Sequence, residues 1–413
     1  MAWQFWCGSF LFLSAHDPAS VSHTSLNVGL DSRIEGNAHM KSGKMRAVGV
    51  LPGKRTVSMV SQATPELSSP NQVIIRTIEV GICGTDREIC NFEYGTPPEG
   101  SEFLVLGHEA LGEVVETGSS SSQFKPGDLV VPSVRRPCPH RVCVSCQSDR
   151  QDFCSTGDFT ERGIKMTHGF LTEYFVDDEK HLNGVPRDLG DVGVLVEPLT
   201  VAEKALAQVW QVQQRLPWEN VSGKGRGHGK TAVVLGAGPV GILGAMTLLV
   251  NGFTTFVYSR SPAPNPKSDL VNAIGAKYVS AQTVSLERFA AEVGSVDLVY
   301  EAAGVAQISF DVMKLLALNG IFVFTGIPAQ KPAIPIEADC LMRDMVLKNL
   351  AVIGTVNADR PAFESAIRDL GLFKKRWPEA LGGLITGRYP MESFGDLLLG
   401  KTGGIKSVIR VAE

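Results

Sequence analysis

Four cysteines crowd one short stretch of the chain: Cys138, Cys143, Cys146 and Cys154. Cys143-Val-Ser-Cys146 is a Cys-x-x-Cys pair, and Cys154 follows after seven intervening residues. Thiolates at this spacing close around a tetrahedral metal, and four of them leave no position open for chemistry. The set reads as a structural zinc site, with a redox pair or unrelated thiols as the alternatives. His140, inside the stretch, competes with Cys138 for the fourth ligand position. Three further groups are scattered. Cys83 stands in Gly81-Ile-Cys-Gly-Thr-Asp86, His108 and Glu109 in Gly107-His-Glu-Ala110, and Glu197 in Val196-Glu-Pro-Leu199. Each alone is bland, because a lone Cys is usually a small core residue. Spacing by itself does not bring them together.

A third feature is a glycine loop. Gly236-Ala237-Gly238-Pro239-Val240-Gly241 is a Gly-x-Gly-x-x-Gly that follows the apolar run Thr231–Leu235 and opens an apolar helix. In that context the first Gly makes a tight turn, the second lets backbone approach a pyrophosphate, and the third lets helix and strand pack. The anion sits at the helix N-terminus, where N–H groups are unpaired. At the end of the next strand an acid would bind the ribose 2′-hydroxyl of NAD. The chain has Tyr258-Ser259-Arg260-Ser261 there instead, with no acid. Arg260 can pair with a 2′-phosphate, so NADP is the expected cofactor, with NAD possible. A plain surface arginine is the competing reading.

The elements that position these groups change character along the chain. Met45–Val50, Gln72–Ile78, Val105–Val115 and Asp128–Val131 read as strands separated by Pro and Ser turns. A helix is expected over Pro198–Gln211. The glycine-rich, basic stretch 222–230 reads as a linker. Strand–helix alternation follows: strand Thr231–Leu235, helix Ile242–Leu249, strand Thr254–Tyr258, strand Val296–Tyr300, helix Ser309–Leu318 and strand Gly320–Phe324. That alternation indicates a doubly wound parallel sheet. A helix at Arg360–Leu372 and a closing strand at Ser407–Val411 complete the pattern.

Composition narrows the class. The 413 residues are 44% hydrophobic with a formal net charge of −4. That suffices for two cores and supplies no basic field for nucleic acid or for a membrane surface. No run reaches the ~20 apolar residues that span a bilayer. Cysteines clustered in a long chain point to metal and to a reducing compartment, so a cytoplasmic location is expected. The apolar patch Phe5–Leu13 lacks the positive flank of a signal peptide, and 14–44 is polar and aperiodic. Residues 1–44 therefore read as a disordered, dispensable extension ahead of Met45, or as sequence before a start at Met40 or Met45. A cleaved targeting peptide is the minority alternative.

Taken together these segments resemble the zinc-containing medium-chain dehydrogenases, and within them the glucose 1-dehydrogenase branch. Beyond the Cys83 and His108 motifs, the resemblance is carried by Arg135-Arg-Pro137, Cys154–Gly163, Glu197-Pro-Leu199 and Gly354–Phe363. The resemblance implies an α/β fold: a GroES-like β-rich catalytic domain at 45–225 and 355–413, and a Rossmann NADP-binding domain at 226–354. It implies two zinc ions per chain. Cys83, His108 and Glu197 hold the catalytic one, with Glu109 as an exchanging ligand or neighbour, and Cys138, Cys143, Cys146 and Cys154 hold the structural one. Thr85 then meets the reacting hydroxyl, while Glu161, Glu197 and Asn357 bind the sugar. Thr325-Gly326-Ile327, Thr355, Val356 and Asn357 line the nicotinamide side, and Lys406 matches a phosphate-contacting lysine. The implied activity is oxidation of an aldose, β-D-glucose first, at C1 to the lactone with hydride transfer to NADP. Polyol, threonine or simple alcohol dehydrogenases of the same superfamily are alternatives, as is a non-catalytic NADP-binding scaffold. The implied partners are a small sugar and further copies of the chain, as a dimer or tetramer, with no nucleic acid and no membrane.

Overall fold

Gln72–Gly81 is buried along both faces, and this strand, β1, becomes the centre of the first sheet. The computed structural model describes residues 43–217, 224–328, 332–400 and 403–412. The expected extension thus lies almost wholly outside the described residues, and the first strand begins at Lys44. Glu109–Thr117 (β2) pairs antiparallel with β1, and Leu129–Pro132 (β3) pairs with β2. Tyr174–Asp178 (β4) joins the first half of β1, and Leu182–Val185 (β5) joins β3. Val73, Ile75, Val80, Leu106, Phe170 and Phe175 fill the core of this half. The strand expected over Val105–Val115 is interrupted: one strand stops at Val105 and β2 starts at Glu109. Gly107 takes φ +86°, and a Cβ there would stand 2.7 Å from Val80 Cγ1. Only glycine fits such a turn, and the break leaves His108 at the head of β2.

Gly84–Cys90 forms the short helix α1 directly after β1. Val196–Val212 forms α2, which begins before the expected Pro198 because proline is tolerated in a helix's first turn. The linker expected at 222–230 is instead docked where it is described. The Gly227 N–H donates to the Asn251 carbonyl at 2.8 Å. A Cβ on Gly225 would meet that same carbonyl oxygen at 2.4 Å.

The second sheet holds Thr231–Leu235 (β6), Thr254–Ser259 (β7), Lys277–Ser280 (β8), Val296–Glu301 (β9), Leu316–Phe324 (β10) and Ala351–Gly354 (β11). All pairings are parallel, in the order β8-β7-β6-β9-β10-β11. Strands buried on both faces feed two cores. Ala232, Val234, Val257 and Tyr300 pack with α2, while Val233, Leu235, Phe256 and Tyr258 pack with Phe289 on the other side. The order reverses between β6 and β9, where ligands of such sheets bind. The helix expected over Ser309–Leu318 ends at Met313, and Leu316–Leu318 opens β10 instead. A short apolar run fits either period, and pairing of Leu316 with Val296 decides it.

Pro239–Val250 (α3) follows the glycine loop, and Arg360–Arg376 (α4) runs past the expected Leu372. The chain then returns to the first sheet. Ile385–Pro390 (β12) pairs with Lys406–Arg410 (β13), and β13 lies antiparallel to the second half of β1. Among the described residues no helix is long and apolar enough to cross a membrane.

The glycine loop gives a direct test. Gly236 takes φ +97°, and a Cβ on Gly241 would lie 2.1 Å from the Gly236 carbonyl oxygen. Gly241→Ala must push α3 away from that turn, at a cost of ~1–3 kcal/mol. A lowered urea midpoint with an unchanged slope, together with weaker NADP binding, is the expected outcome.

Candidate active site and metal centres

The register of the first sheet assembles the central cluster. Gly81 faces Glu109 across one strand pair and Val408 across the other. Cys83 lies just beyond the end of β1, as the residue before α1. The ligand atoms of Cys83, His108 and Glu109 all lie within 4.8 Å of one another. Glu197, in the first turn of α2, borders this group rather than joining it within that distance. Burial pushes its carboxyl up, His108 opposes the shift and Glu109 adds to it, leaving its pKa at about 7. Thr85 stands half-buried in the first turn of α1, two residues from Cys83.

Two residues complete this centre. Asp86, 1% exposed, was not singled out from sequence. Its Oδ2 accepts from the Cys83 N–H at 2.9 Å, and its Oδ1 lies 3.3 Å from His108 Nδ1. Burial pushes the Asp86 carboxyl up, but His108 and the Cys83 N–H outweigh it and hold the pKa below the usual value. A carboxylate beside Nδ1 favours the proton on that nitrogen, which would leave Nε2 for a metal. Its only sequence signal is its place three residues after Cys83. Lys406 departs from the expected phosphate contact. It is 1% exposed, ion-paired with Glu109, and donates to the Ile82 carbonyl at 3.0 Å. The start of β13 beside β1 directs it into the centre. A Cβ on Gly81 would stand 2.2 Å from Glu109 Oε2 and 2.9 Å from Lys406 Cε, so glycine there makes room for the pair. A half-buried thiol with a buried imidazole and carboxylate, their ligand atoms this close together, fit zinc.

The two residues expected to bind sugar meet although they are 196 positions apart: Asn357 Nδ2 donates to Glu161 Oε1 at 2.8 Å. Arg135 donates to the same oxygen, with Nε at 3.0 Å and Nη2 at 2.9 Å. Among the described residues these donors all sit on Oε1, which leaves Oε2 as an acceptor. The Glu161 segment packs on the His108 turn, since a Cβ on Gly163 would lie 2.6 Å from the Gly107 carbonyl oxygen.

The ligand sulfurs of Cys138, Cys143, Cys146 and Cys154 also lie within 4.8 Å of one another. The Cys138 N–H points at Cys146 Sγ at 3.4 Å, and Cys143 Sγ lies 3.5 Å from Ser155 Oγ. Donation from the Ser155 hydroxyl and the Cys146 and Ser155 N–H groups brings the Cys143 pKa down to about 5. Burial pushes the Cys146 thiol the other way, up to about 12, so the fit to a closed zinc site rests on the four converging sulfurs. His140 is exposed and drawn off to Asp158, with Nε2 2.7 Å from Oδ2.

At the sheet's switch point Gly236 turns, Ala237 is buried, and Pro239 and Val240 begin α3. A Cβ on Gly238 would meet nothing within 4 Å, which leaves room for a pyrophosphate at the helix N-terminus. Ser259 ends β7. The following carbonyls are pinned, that of Arg260 by Ser280 Oγ at 3.2 Å and that of Ser261 by the Tyr278 hydroxyl at 2.7 Å. Arg260 itself is exposed and has no ion-pair partner among the described residues. Glu301, one residue past the strand expected to end at Tyr300, was missed. It is 1% exposed. Its Oε1 accepts from the N–H groups of Ala303 at 2.8 Å and Gly304 at 2.7 Å, and its Oε2 from Gly326 at 3.1 Å. Thr325 donates to the Glu301 carbonyl at 2.6 Å, and Ile327 beyond it is exposed. Glu301 thus ties together both loops that border the cofactor cleft. From α2, Gln208 Nε2 reaches Thr355 Oγ1 at 3.1 Å and Lys204 Nζ reaches the Val356 carbonyl at 2.8 Å.

Comparison with known proteins agrees with this arrangement. The profile described as alcohol dehydrogenase GroES-like domain matches residues 69–187, and that described as glucose dehydrogenase C-terminus matches residues 190–411. The glucose 1-dehydrogenase of Methanocella arvoryzae is 34% identical over 367 residues, 89% of this chain and 99% of that protein. The glucose 1-dehydrogenase of Thermoproteus tenax is 36% identical over 372 residues, again 89% of this chain and 99% of the relative. The Haloferax mediterranei glucose dehydrogenase, solved in complex with NADP, Zn and gluconolactone, superposes with a TM-score of 0.80 at 31% identity. It covers 89% of this chain and 100% of its own.

Two separate ligand sets predict two separable zinc ions. Elemental analysis of purified protein should give close to two per chain. Cys143→Ser should remove one and lower thermal stability, because a structural zinc contributes folding free energy directly. Cys83→Ala should keep the fold and lose turnover. A Cys143→Ser protein of full stability but no activity would reverse the two roles.

Proposed function

Because the chain belongs to the glucose 1-dehydrogenase family of zinc-containing medium-chain dehydrogenases, we propose that it oxidises β-D-glucose at C1 to gluconolactone, reducing NADP. It is an oxidoreductase acting on a CH–OH group, and zinc and NADP are its cofactors. The observation that carries the substrate assignment is the Glu161–Asn357 pair, packed beside the His108 turn with one carboxylate oxygen left over. A site built to accept from and donate to hydroxyls discriminates strongly in favour of a polyhydroxylated substrate.

Residues 45–225 and 355–413 would serve as the catalytic domain and 226–354 as the NADP-binding domain, a division supported by which sheet each segment enters. Cys83, His108 and Glu109, with Glu197 beside them, would hold the catalytic zinc, and the four clustered cysteines the structural one. When bound, zinc supplies Lewis acidity toward the C1 hydroxyl and the nicotinamide supplies the hydride acceptor. Glu161 Oε2 accepts from one sugar hydroxyl, and Asn357 and Glu197 orient others. Thr85 hydrogen-bonds the hydroxyl that loses its proton. The Glu109–Lys406 pair leaves a buried carboxylate charge balanced when the protonation state beside it changes. Net, C1 loses a hydride and its hydroxyl a proton, and the lactone leaves for hydrolysis to the aldonate.

Two finer points belong to the same proposal. Leu318 near the start of β10 and Leu347 at the end of the helix Ala338–Leu347 are both exposed, next to the Asn319 N–H to Lys348 carbonyl bond at 2.6 Å. That apolar face supports self-association as a dimer or tetramer. No disulfide joins the described cysteines, which supports a reducing compartment, the cytoplasm.

The test is an NADPH-formation screen over aldoses, polyols, threonine and simple alcohols. Glucose should lead, and a polyol or alcohol turned over faster would replace the assignment. NADP should be preferred to NAD, through Arg260. A charge-assisted bond to phosphate contributes roughly 1.5–3 kcal/mol, so Arg260→Ala should cost on the order of 10–100-fold in NADP kcat/KM. NAD kinetics should barely change. Equal losses with both cofactors would place Arg260 in support of the fold instead.

A further inference from the structure

Lys204 projects from the middle of α2 and is 4% exposed. Its ammonium meets Asp152 Oδ2 at 2.9 Å and the Val356 carbonyl at 2.8 Å. Asp152 belongs to the single turn Gln151–Phe153, immediately before Cys154 of the four-cysteine cluster. The carbonyl of Asp152 accepts from Arg135 Nη1 at 3.2 Å. Arg135 in turn holds Glu161 Oε1, which also accepts from Asn357 Nδ2. The peptide bond from Val356 to Asn357 closes the circuit. Starting at Lys204, the contacts run through Asp152, Arg135, Glu161 and Asn357 and return to Lys204. Four of its members are buried, Lys204, Asp152, Arg135 and Glu161 at 4%, 5%, 7% and 4% exposed, while the Val356–Asn357 segment that closes it reaches the surface.

The ring has a mechanical consequence. Asn357 has φ +62°, a left-handed conformation that asparagine tolerates and that its own Oδ1 supports by accepting the Ala358 N–H at 2.9 Å. Where that turn points is held by the Glu161 bond on Nδ2 and by the Lys204 bond on the preceding carbonyl. Without the ammonium, that carbonyl would be left without its donor and Asn357 would be free to relax away from Glu161. Without Asp152, the buried ammonium would lose its counter-charge.

We propose that Lys204 and Asp152 are positioning residues for substrate recognition, which set Asn357 against Glu161 so that the pair meets the sugar hydroxyls. The four-cysteine lobe thereby contributes to substrate binding through Asp152, besides stabilising the fold. This rests on the reading of Glu161 and Asn357 as the sugar-binding pair.

The experiment compares wild type with Lys204→Met, Lys204→Arg, Asp152→Asn and the double variant Lys204→Met/Asp152→Asn. Zinc content, melting temperature and separate KM values for sugar and NADP are measured in each. A lost charge-assisted bond predicts a rise in sugar KM on the order of 10–100-fold for Lys204→Met. The NADP KM should stay within about twofold and the zinc content should be unchanged. Lys204→Arg should recover part of the loss, and the double variant should be worse by less than the product of the single effects. A zinc-replete, folded Lys204→Met with wild-type sugar KM would overturn the proposal. Equal rises in both KM values, or a loss confined to melting temperature, would do so as well. Should Lys204→Met fail to fold, Asp152→Asn carries the same KM comparison with a nearly isosteric side chain. If wild type prefers a polyol, the function assignment fails, and the positioning role is then judged on that polyol's KM.

Discussion

The pairing of Gly81 with Glu109 on one side and Val408 on the other is the constraint on which the site depends. Side chains alternate along strands, so a slip of one residue in either pairing would turn Glu109 or Lys406 to the opposite face. Each would then be a buried charge without its partner, which is far more costly than losing a surface pair. The absent Cβ at Gly81 is part of the same constraint, because any side chain there would occupy the space of the Glu109 carboxylate. Asp86 extends the arrangement outward, tying the Cys83 backbone to the His108 ring. The candidate ligands Cys83, His108 and Glu109, on two separated segments, are thus held by ordinary sheet hydrogen bonds and two buried charge contacts.

α2 is the second organising element. Glu197, Lys204 and Gln208 are spaced by seven and four residues, close to whole helical turns, and so share one face. That face borders the metal cluster at its N-terminal end and the Thr355–Val356 segment farther along. The opposite side of the helix is apolar and packs on the parallel sheet and on α4. One helix therefore relates the metal centre to the segment where the chain leaves the parallel sheet. Glu301 does the equivalent work on the other border of the cleft. Its three accepted N–H groups come from two loops, so both are set by one buried carboxylate.

What the amino-acid sequence determines by itself is what short-range geometry controls. The glycine loop is legible because each of its glycines answers a local need, a positive φ, an open approach or a close helix contact. The cysteine cluster is legible because its four ligands fall within seventeen consecutive positions, 138–154. Tertiary structure decided the matters that depend on distant chain. Nothing in the spacing of Glu161 and Asn357 announces a 2.8 Å contact; only family resemblance named both. Lys406 was assigned to a phosphate by resemblance and is claimed by Glu109, because sheet pairing outranks any local signal. Asp86 closes the Gly81–Asp86 motif without a role attached to it there, and Lys204 and Glu301 carry no motif. Their roles arise from burial, since a charged group removed from water must find its partners wherever the fold brings them.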